Sequence, residues 1–365
     1  MYSSRVSTDI PPAGFKGRGA LSNPHNRFDH QRSEGVDDGW YREEPQGSIA
    51  TTLSPDTTRS ILSRNDSPDI PFDQSINPYR GCEHGCVFCY ARPTHAYLGF
   101  SPGIDFETKL MFKADAARLL RSELARPGYQ CRHIMLGANT DPYQPVERQL
   151  GVTRAVLEVL AETRHPVAIT TRSALVLRDL DLLAGMARDG LASVFLSITT
   201  FDADLKRKLE PRSASSTARL AAMRALADAG VPVGVMAAPM IPAVNDSELE
   251  EILERSAQAG ARRAGFSLVR LPHEVKDLFR EWLQQHMPDR AQHVMSLIQA
   301  ARGGRDNDPR FGQRMLGTGA WAQLLADRFR LAARRLGMRS DREVMLRTDL
   351  FRPPRQDMPQ LELGL

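Results

Sequence analysis

Three of the chain's four cysteines, Cys82, Cys86 and Cys89, fall within eight consecutive positions. Thiolates are soft, strong ligands for iron and zinc. Their C-x3-C-x2-C spacing supplies three corners of a cubane 4Fe–4S cluster. The fourth iron is then left without a protein thiolate and open to a substrate or cofactor. A structural zinc site would combine the same cysteines with His84 or His95, yet zinc ligands more often come as two separated pairs. Disulfides fit worse, because an odd group of cysteines on such short loops cannot pair fully. Cys131, the one remaining cysteine, cannot ligate a second cluster alone.

Around these cysteines runs Asn77-Pro78-Tyr79-Arg80-Gly81-Cys82-Glu83-His84-Gly85-Cys86-Val87-Phe88-Cys89-Tyr90, continuing into Ala91-Arg92. The cysteine spacing, with Phe88 just before the last ligand, resembles the signature of radical S-adenosylmethionine (radical SAM) enzymes. The longer match resembles the branch related to spore photoproduct lyase, the DNA repair photolyase-like proteins. That resemblance implies a partial (β/α)6 TIM-type barrel with one 4Fe–4S cluster. SAM would chelate the open iron through its amino and carboxylate groups, and an electron from the cluster would split it into methionine and a 5′-deoxyadenosyl radical. A flavodoxin- or ferredoxin-type reductant and a DNA or RNA substrate are further implications. In such cofactor chemistry the protein supplies position, electrostatics and exclusion of water.

Carried over residue by residue, the resemblance gives Tyr90 an adenine-side role. It assigns Asn139, Thr140 and Asp141 to the segment that meets the SAM amino group through backbone groups. Arg172 falls at the SAM carboxylate and Ser197 at the ribose. The sequence also departs from the pattern. The hydrogen-donating cysteine of photoproduct lyases aligns beside Asn139-Thr140-Asp141, where this chain has Ala138, and Cys131 comes several residues earlier. Cys131 is expected as a small buried hydrophobe. Photoproduct reversal is thereby put in question, whereas SAM cleavage is not. Two other readings stay open. One is radical SAM modification of RNA, a protein or a small molecule. The other, outside the enzymes, is a nucleic-acid-binding protein stabilised by a metal.

A repeating chain rhythm must position these residues. Residues 73–77 lead into the cysteine loop as the first strand, and 106–112 look extended before an amphipathic helix at 114–125. Short apolar strands at 132–136, 167–171, 192–197, 232–237 and 263–269 then alternate with helices at 153–163, 180–188, 217–229 and 247–259. This alternation predicts a parallel sheet with right-handed crossovers. Barrels of this kind carry their chemistry at the carboxyl ends of the strands. Residues 137–144, Thr170-Thr171-Arg172-Ser173 and Ser197-Ile198-Thr199-Thr200 sit at such ends and are small, hydroxylic or charged. Hydroxyls suit a ribose and Arg172 a carboxylate, although any one of these segments is also ordinary turn chemistry. Glu210, near Arg212 and Arg219, is expected either in a buried network at the barrel mouth or in a surface ion pair with helix capping at Ser216 or Thr217.

The remaining regions divide at composition shifts. Residues 1–65 are rich in Gly, Pro, Ser and charge and are expected as a flexible or wrapping extension. The barrel occupies 66–270 and a helical region 271–350, with helices near 275–285, 289–301 and 320–336. A glycine-bearing link at 310–319 matches no phosphate-loop pattern. The tail, 351–365, ends in Gln360-Leu361-Glu362-Leu363-Gly364-Leu365, which resembles the short peptide that binds the bacterial replication sliding clamp. The formal net charge is only +4, but residues 301–355 hold 13 arginines, no lysine and 6 acidic residues. Such a patch suits phosphate contacts or a solvated helical face. No apolar run is long enough for a membrane span, and free thiols held for a metal imply a reducing compartment. The expected location is cytoplasmic.

Overall fold

The structure is a computed structural model and describes residues 15–28, 49–339 and 346–354. Its strands are β1 (Thr52–Pro55), β2 (Leu62–Arg64), β3 (Gln74–Ile76), β4 (Tyr79–Arg80), β5 (Lys109–Phe112), β6 (Ile134–Leu136), β7 (Val167–Thr171), β8 (Ala192–Ile198), β9 (Val233–Met240) and β10 (Arg263–Leu268). The main sheet has the order β10-β9-β8-β7-β6-β3-β2. All neighbours from β3 to β10 pair in parallel, and β2 closes the edge in the antiparallel sense. These six parallel strands and their intervening helices are the expected partial barrel.

The strands are short and apolar because both of their faces are covered. Val167, Ala168 and Ile169 of β7 and Val194, Leu196 and Ile198 of β8 have no exposed surface. Helix Val152–Glu162 buries Val152, Val156, Leu157, Val159 and Leu160 against them, a stripe at helical spacing. The helix starts are locally specified. Asp202 caps Ala203–Leu209 by accepting from Asp204 and Leu205 N–H. Ser215, not Ser216 or Thr217, caps Ser216–Asp228. The Ser216 hydroxyl instead donates to the Thr200 carbonyl, 2.6 Å away, and ties that helix to the end of β8.

The stretch expected to be extended over 106–112 divides in two. Asp105–Thr108 makes one helical turn, and only Lys109–Phe112 is a strand. That strand leaves the barrel and joins a three-stranded sheet ordered β1-β5-β4. The reason is a local demand from the cysteine loop. The Cys82 N–H donates to the Phe106 carbonyl at 2.9 Å, so the chain must curl there.

Within the expected N-terminal extension, the described residues wrap the core. Residues 15–28 lie along the cysteine loop, β1 pairs with β5, and β2 pairs with β3. The helical region is likewise continuous with the barrel. Val275–His286 and Pro288–Ala300 bury Phe279, Trp282, Leu283 and Val294 against Cys86, Val87 and Phe88 of the cysteine loop. Each such apolar side chain contributes roughly 1.5–3 kcal/mol on full burial, so this packing fixes the loop firmly. Helix Gly319–Arg335 packs on Leu249–Gln258, and its Phe329 ring lies 4.7 Å from that of Phe266 on β10. Among the described residues no helix is long and apolar enough to cross a membrane. The clamp-like segment 360–365 lies outside the described residues.

Candidate active site at the carboxyl ends of the strands

The cysteine loop begins directly after β3 and β4 and is held from several sides. The Val87 N–H donates to Leu209 O at 3.0 Å, the Arg212 N–H to His84 O at 3.2 Å, and the Glu83 N–H to Gln144 Oε1 at 2.8 Å. From within the loop, Arg92 Nε reaches the Cys86 carbonyl at 2.9 Å. Arg92 is fully buried and ion-paired to Glu107, whose carboxylate also accepts the N–H groups of Gly19 at 3.0 Å and Ala20 at 2.9 Å. The N-terminal segment, Glu107 and Arg92 thus form one chain of contacts that ends on a candidate iron ligand.

Cys82, Cys86 and Cys89 line one cavity of about 550 Å³ at the carboxyl ends of the parallel strands. Ligand sites are commonly of this size. Phe88, Tyr90, Asn139, Asp141, Arg172 and Ser197 line the same cavity. The structure therefore brings together all the residues that the resemblance assigned to the cluster and SAM except Thr140, whose buried hydroxyl donates to the Tyr79 carbonyl at 2.9 Å. Cys131 precedes β6, lies outside the cavity lining and is a partly buried free thiol.

The donor set fits a cluster. None of the three cysteines is in a disulfide, and burial pushes the Cys86 thiol up to about 12, with Cys82 and Cys89 also raised. Buried thiols become thiolates when a metal binds them, since coordination requires the deprotonated form. Among the described residues no three Cys, His, Asp or Glu side chains converge where one ion could be held. In a cubane each thiolate binds a different iron, so the three cysteines need not converge on one ion.

The polar residues of the cavity are held by a dense set of bonds. Asp141 accepts from the Tyr143 N–H at 2.9 Å, the Thr171 hydroxyl at 2.7 Å and the Arg172 N–H at 2.7 Å, and lies 3.3 Å from His84 Nδ1. Burial alone would raise its pKa, but His84 and these donors hold it below the ordinary carboxylate value. Asp141 therefore clips the ends of β6 and β7 to the cysteine loop. The N–H groups of Asn139 and Thr140 both turn to Asn77 Oδ1, at 2.9 and 3.4 Å. Gly137 permits this tight turn: its φ is +89°, and a Cβ there would meet the backbone of Thr170. The Tyr90 hydroxyl donates to the Ala138 carbonyl, and its ring lies under the Arg270 guanidinium at 5.0 Å.

Arg172 is already engaged in the structure. Its guanidinium donates to Thr199 Oγ1 at 2.9 Å, Glu210 Oε2 at 3.0 Å and the Ala238 carbonyl at 3.1 Å, and stands 5.3 Å from the Phe88 ring centroid. Glu210 is fully buried and also pairs with the fully buried Arg219 at 2.5 Å. Burial would raise Glu210, yet Arg219 and Arg172 hold its pKa below the ordinary value. Arg219 Nη1 in turn donates to the Ser197 carbonyl at 2.7 Å. The Glu210 network is thus the buried one, with Arg172 as second partner. Arg212 pairs with Glu83 at 2.9 Å instead, because the cysteine loop comes down beside it.

Several residues of the site carry no mark in the sequence. Glu107 lies in a stretch without a motif, and Arg92, though inside the longer motif match, carries no sign there of its pairing with Glu107. Arg270 follows the end of β10 and lines the cavity. Applying the strand-end rule to the last strand, as to the earlier ones, would have found it.

Residues 76–256 match the family model described as the radical SAM superfamily. An uncharacterised protein of Mycobacterium tuberculosis is 38% identical over 222 residues, which cover 60% of this chain and 65% of that protein. An uncharacterised protein of Methanocaldococcus jannaschii is 29% identical over 173 residues, covering 47% and 62%. The chain spans less than two thirds of the length of these curated relatives. Among solved structures, spore photoproduct lyase complexed with dinucleoside spore photoproduct aligns with a TM-score of 0.58 at 17% identity, covering 79% of this chain and 80% of that one. At that identity the likeness is one of fold. Residues 76–256 of the chain are a domain of the radical SAM superfamily.

Proposed function

We propose that this protein is a radical SAM enzyme that acts on a nucleic acid in a reaction of the DNA-repair type. The family uses a 4Fe–4S cluster and SAM. When bound, these two groups supply reductive cleavage of the SAM sulfonium to a 5′-deoxyadenosyl radical. Cys82, Cys86 and Cys89 would hold the cluster. One observation carries the reading: three unpaired cysteines face the same cavity as the ends of β6, β7 and β8.

The chain's own residues do the rest of the work. The Asp141 clip and the Asn77 contacts hold the β6 loop in one geometry beside the cysteines. Phe88 and Tyr90 offer ring faces, and apolar walls at Phe72, Phe195 and Phe266 exclude water from a reactive intermediate. Ser197 and Arg172 contribute polar groups at the ends of β8 and β7.

A second reading has its own support. Ala138 stands beside the β6 loop, and Cys131 is not among the cavity residues. Among the described residues no thiol other than the three ligand candidates therefore lines the cavity to return a hydrogen atom. This favours a nucleic-acid modification over photoproduct reversal. The test is anaerobic reconstitution followed by incubation with SAM, a reductant and ultraviolet-irradiated DNA. Formation of 5′-deoxyadenosine with restored bases supports repair, and 5′-deoxyadenosine with unrestored, altered bases supports modification. Bound zinc with no iron and no SAM cleavage rejects both.

A further inference from the structure

Three arginines line the cavity, and two of them are neutralised. Arg172 pairs with Glu210 at 3.0 Å and Arg330 with Asp327 at 2.8 Å; Arg314, which is not among the lining residues, pairs with Asp69 at 2.8 Å. Arg270 differs. Among the described residues no carboxylate lies within ion-pair distance of it, and its Nε is buried with no hydrogen-bond partner. Its polar contacts are the Met315 sulfur, 3.9 Å from Nη1, and the face of Tyr90. An unpaired, partly buried guanidinium is costly, and burial pushes its pKa down. A group that accepts from it would remove that penalty.

The surroundings hold Arg270 in place. Arg302 is buried and donates to three carbonyls, Val269 at 2.8 Å, Gln313 at 3.0 Å and Arg314 at 2.9 Å. It therefore joins the residue before Arg270 to the loop that carries Arg314 and Met315. The same loop is tied to the edge of the barrel by Gly312 N–H and Arg314, both donating to Asp69. On its outer side Phe311 is 57% exposed, with the Arg314 guanidinium 4.7 Å from its ring centroid. By its residues alone this loop is a glycine-bearing connection.

We infer that Arg270 is the seat for a backbone phosphate of a single-stranded or flipped-out nucleic-acid segment, with Tyr90 beneath it and the exposed Phe311 of the 310–316 loop as stacking faces. The inference rests on the nucleic-acid reading above and names the part of the cavity that reads it. Arginine suits a phosphate through its planar, multiply donating fork. Exposed aromatic rings interleaved with arginine are what sequence-tolerant recognition of single strands uses. The local charge of +7 over residues 301–355 favours a polyanion over a neutral ligand.

The test uses the anaerobically reconstituted full chain and a short fluorescein-labelled oligothymidylate, read by fluorescence anisotropy across a salt series. A methylphosphonate strand of the same length, with an uncharged backbone, is the comparison. The charged strand is expected to bind more tightly. Arg270→Gln should weaken it about 10-fold and lower the salt slope by about 0.7, one phosphate contact on a single strand. Arg270→Lys should keep the slope, which separates loss of charge from loss of fold; melting curves check both variants. Equal binding by wild type and Arg270→Gln overturns the seat and leaves the nucleic-acid reading standing. No binding by the wild type overturns both. If Arg270→Gln loses SAM binding in equilibrium dialysis but holds the oligonucleotide, the guanidinium serves the SAM carboxylate and the inference is wrong.

Discussion

Glu210 is the residue whose removal should be felt most. Its carboxylate has no exposed surface and lies between two guanidiniums, Arg219 with none exposed and Arg172 with 19%. Glu210→Gln keeps the shape and deletes the charge, which leaves two arginines facing each other across a neutral amide. Breaking a buried ion pair costs about 3–5 kcal/mol. Arg219 would retain Ser197 O, Ser213 Oγ and Ala214 O, and Arg172 would retain Thr199 and Ala238 O, so the lower end applies. At about 2 °C per kcal/mol for a chain of this size, 3 kcal/mol lowers Tm by about 6 °C. Circular dichroism melts at neutral pH measure it. Arg172→Met alone should cost less, about 1–2 kcal/mol, because it leaves Glu210 with its closer partner. Combining the two substitutions should cost less than their sum, since each relieves the charge the other strands. A Glu210→Gln protein that melts within about 1 °C of wild type would refute the idea that this pair carries the charge balance at the barrel mouth.

Other expected outcomes follow from the same geometry. Cys86→Ala should abolish iron retention after reconstitution while leaving the melting curve of the metal-free protein nearly unchanged, since the helices around Cys86 have their own core; iron analysis and a melt check the two halves. Gly19→Ala should loosen the N-terminal segment, because a Cβ there collides with the Gly85 carbonyl oxygen. Faster proteolysis near residue 19, together with slower cluster reassembly, is the expected result, and an unchanged digest counts against the contact. His165 gives a pH dependence. Its ring lies 2.8 Å from the Tyr129 hydroxyl and 3.1 Å from the Pro166 carbonyl, and burial pushes its pKa from 6.5 down to about 4. The unfolded chain then takes up a proton that the folded chain refuses. Stability is whole above pH 6.5 and falls as the pH drops from 6.5 to 4, by up to about 3 kcal/mol. His165→Gln should flatten this part of the Tm-against-pH curve, and an undiminished slope would assign it to other groups.

The sequence by itself determined the candidate cluster ligands and the barrel. Cys82, Cys86 and Cys89 share one short loop, so their spacing alone limits what they can bind. The alternation of apolar strands and amphipathic helices is equally local, because each element's periodicity reflects its own burial. Asn139, Asp141, Arg172 and Ser197 were legible as strand ends, and the structure does bring them to one cavity.

What each of those residues pairs with was decided only by the tertiary structure. Arg172 meets Glu210 across 38 residues, Arg212 meets Glu83 across 129, and Glu107 accepts from Gly19 across 88. Such choices depend on which loops converge at the barrel mouth, and a charge has no period by which a sequence could announce its partner. The same holds for Arg270. Along the chain it is one arginine among many, and only the placement of the neighbouring carboxylates shows it, among the described residues, to be the cavity arginine left without one.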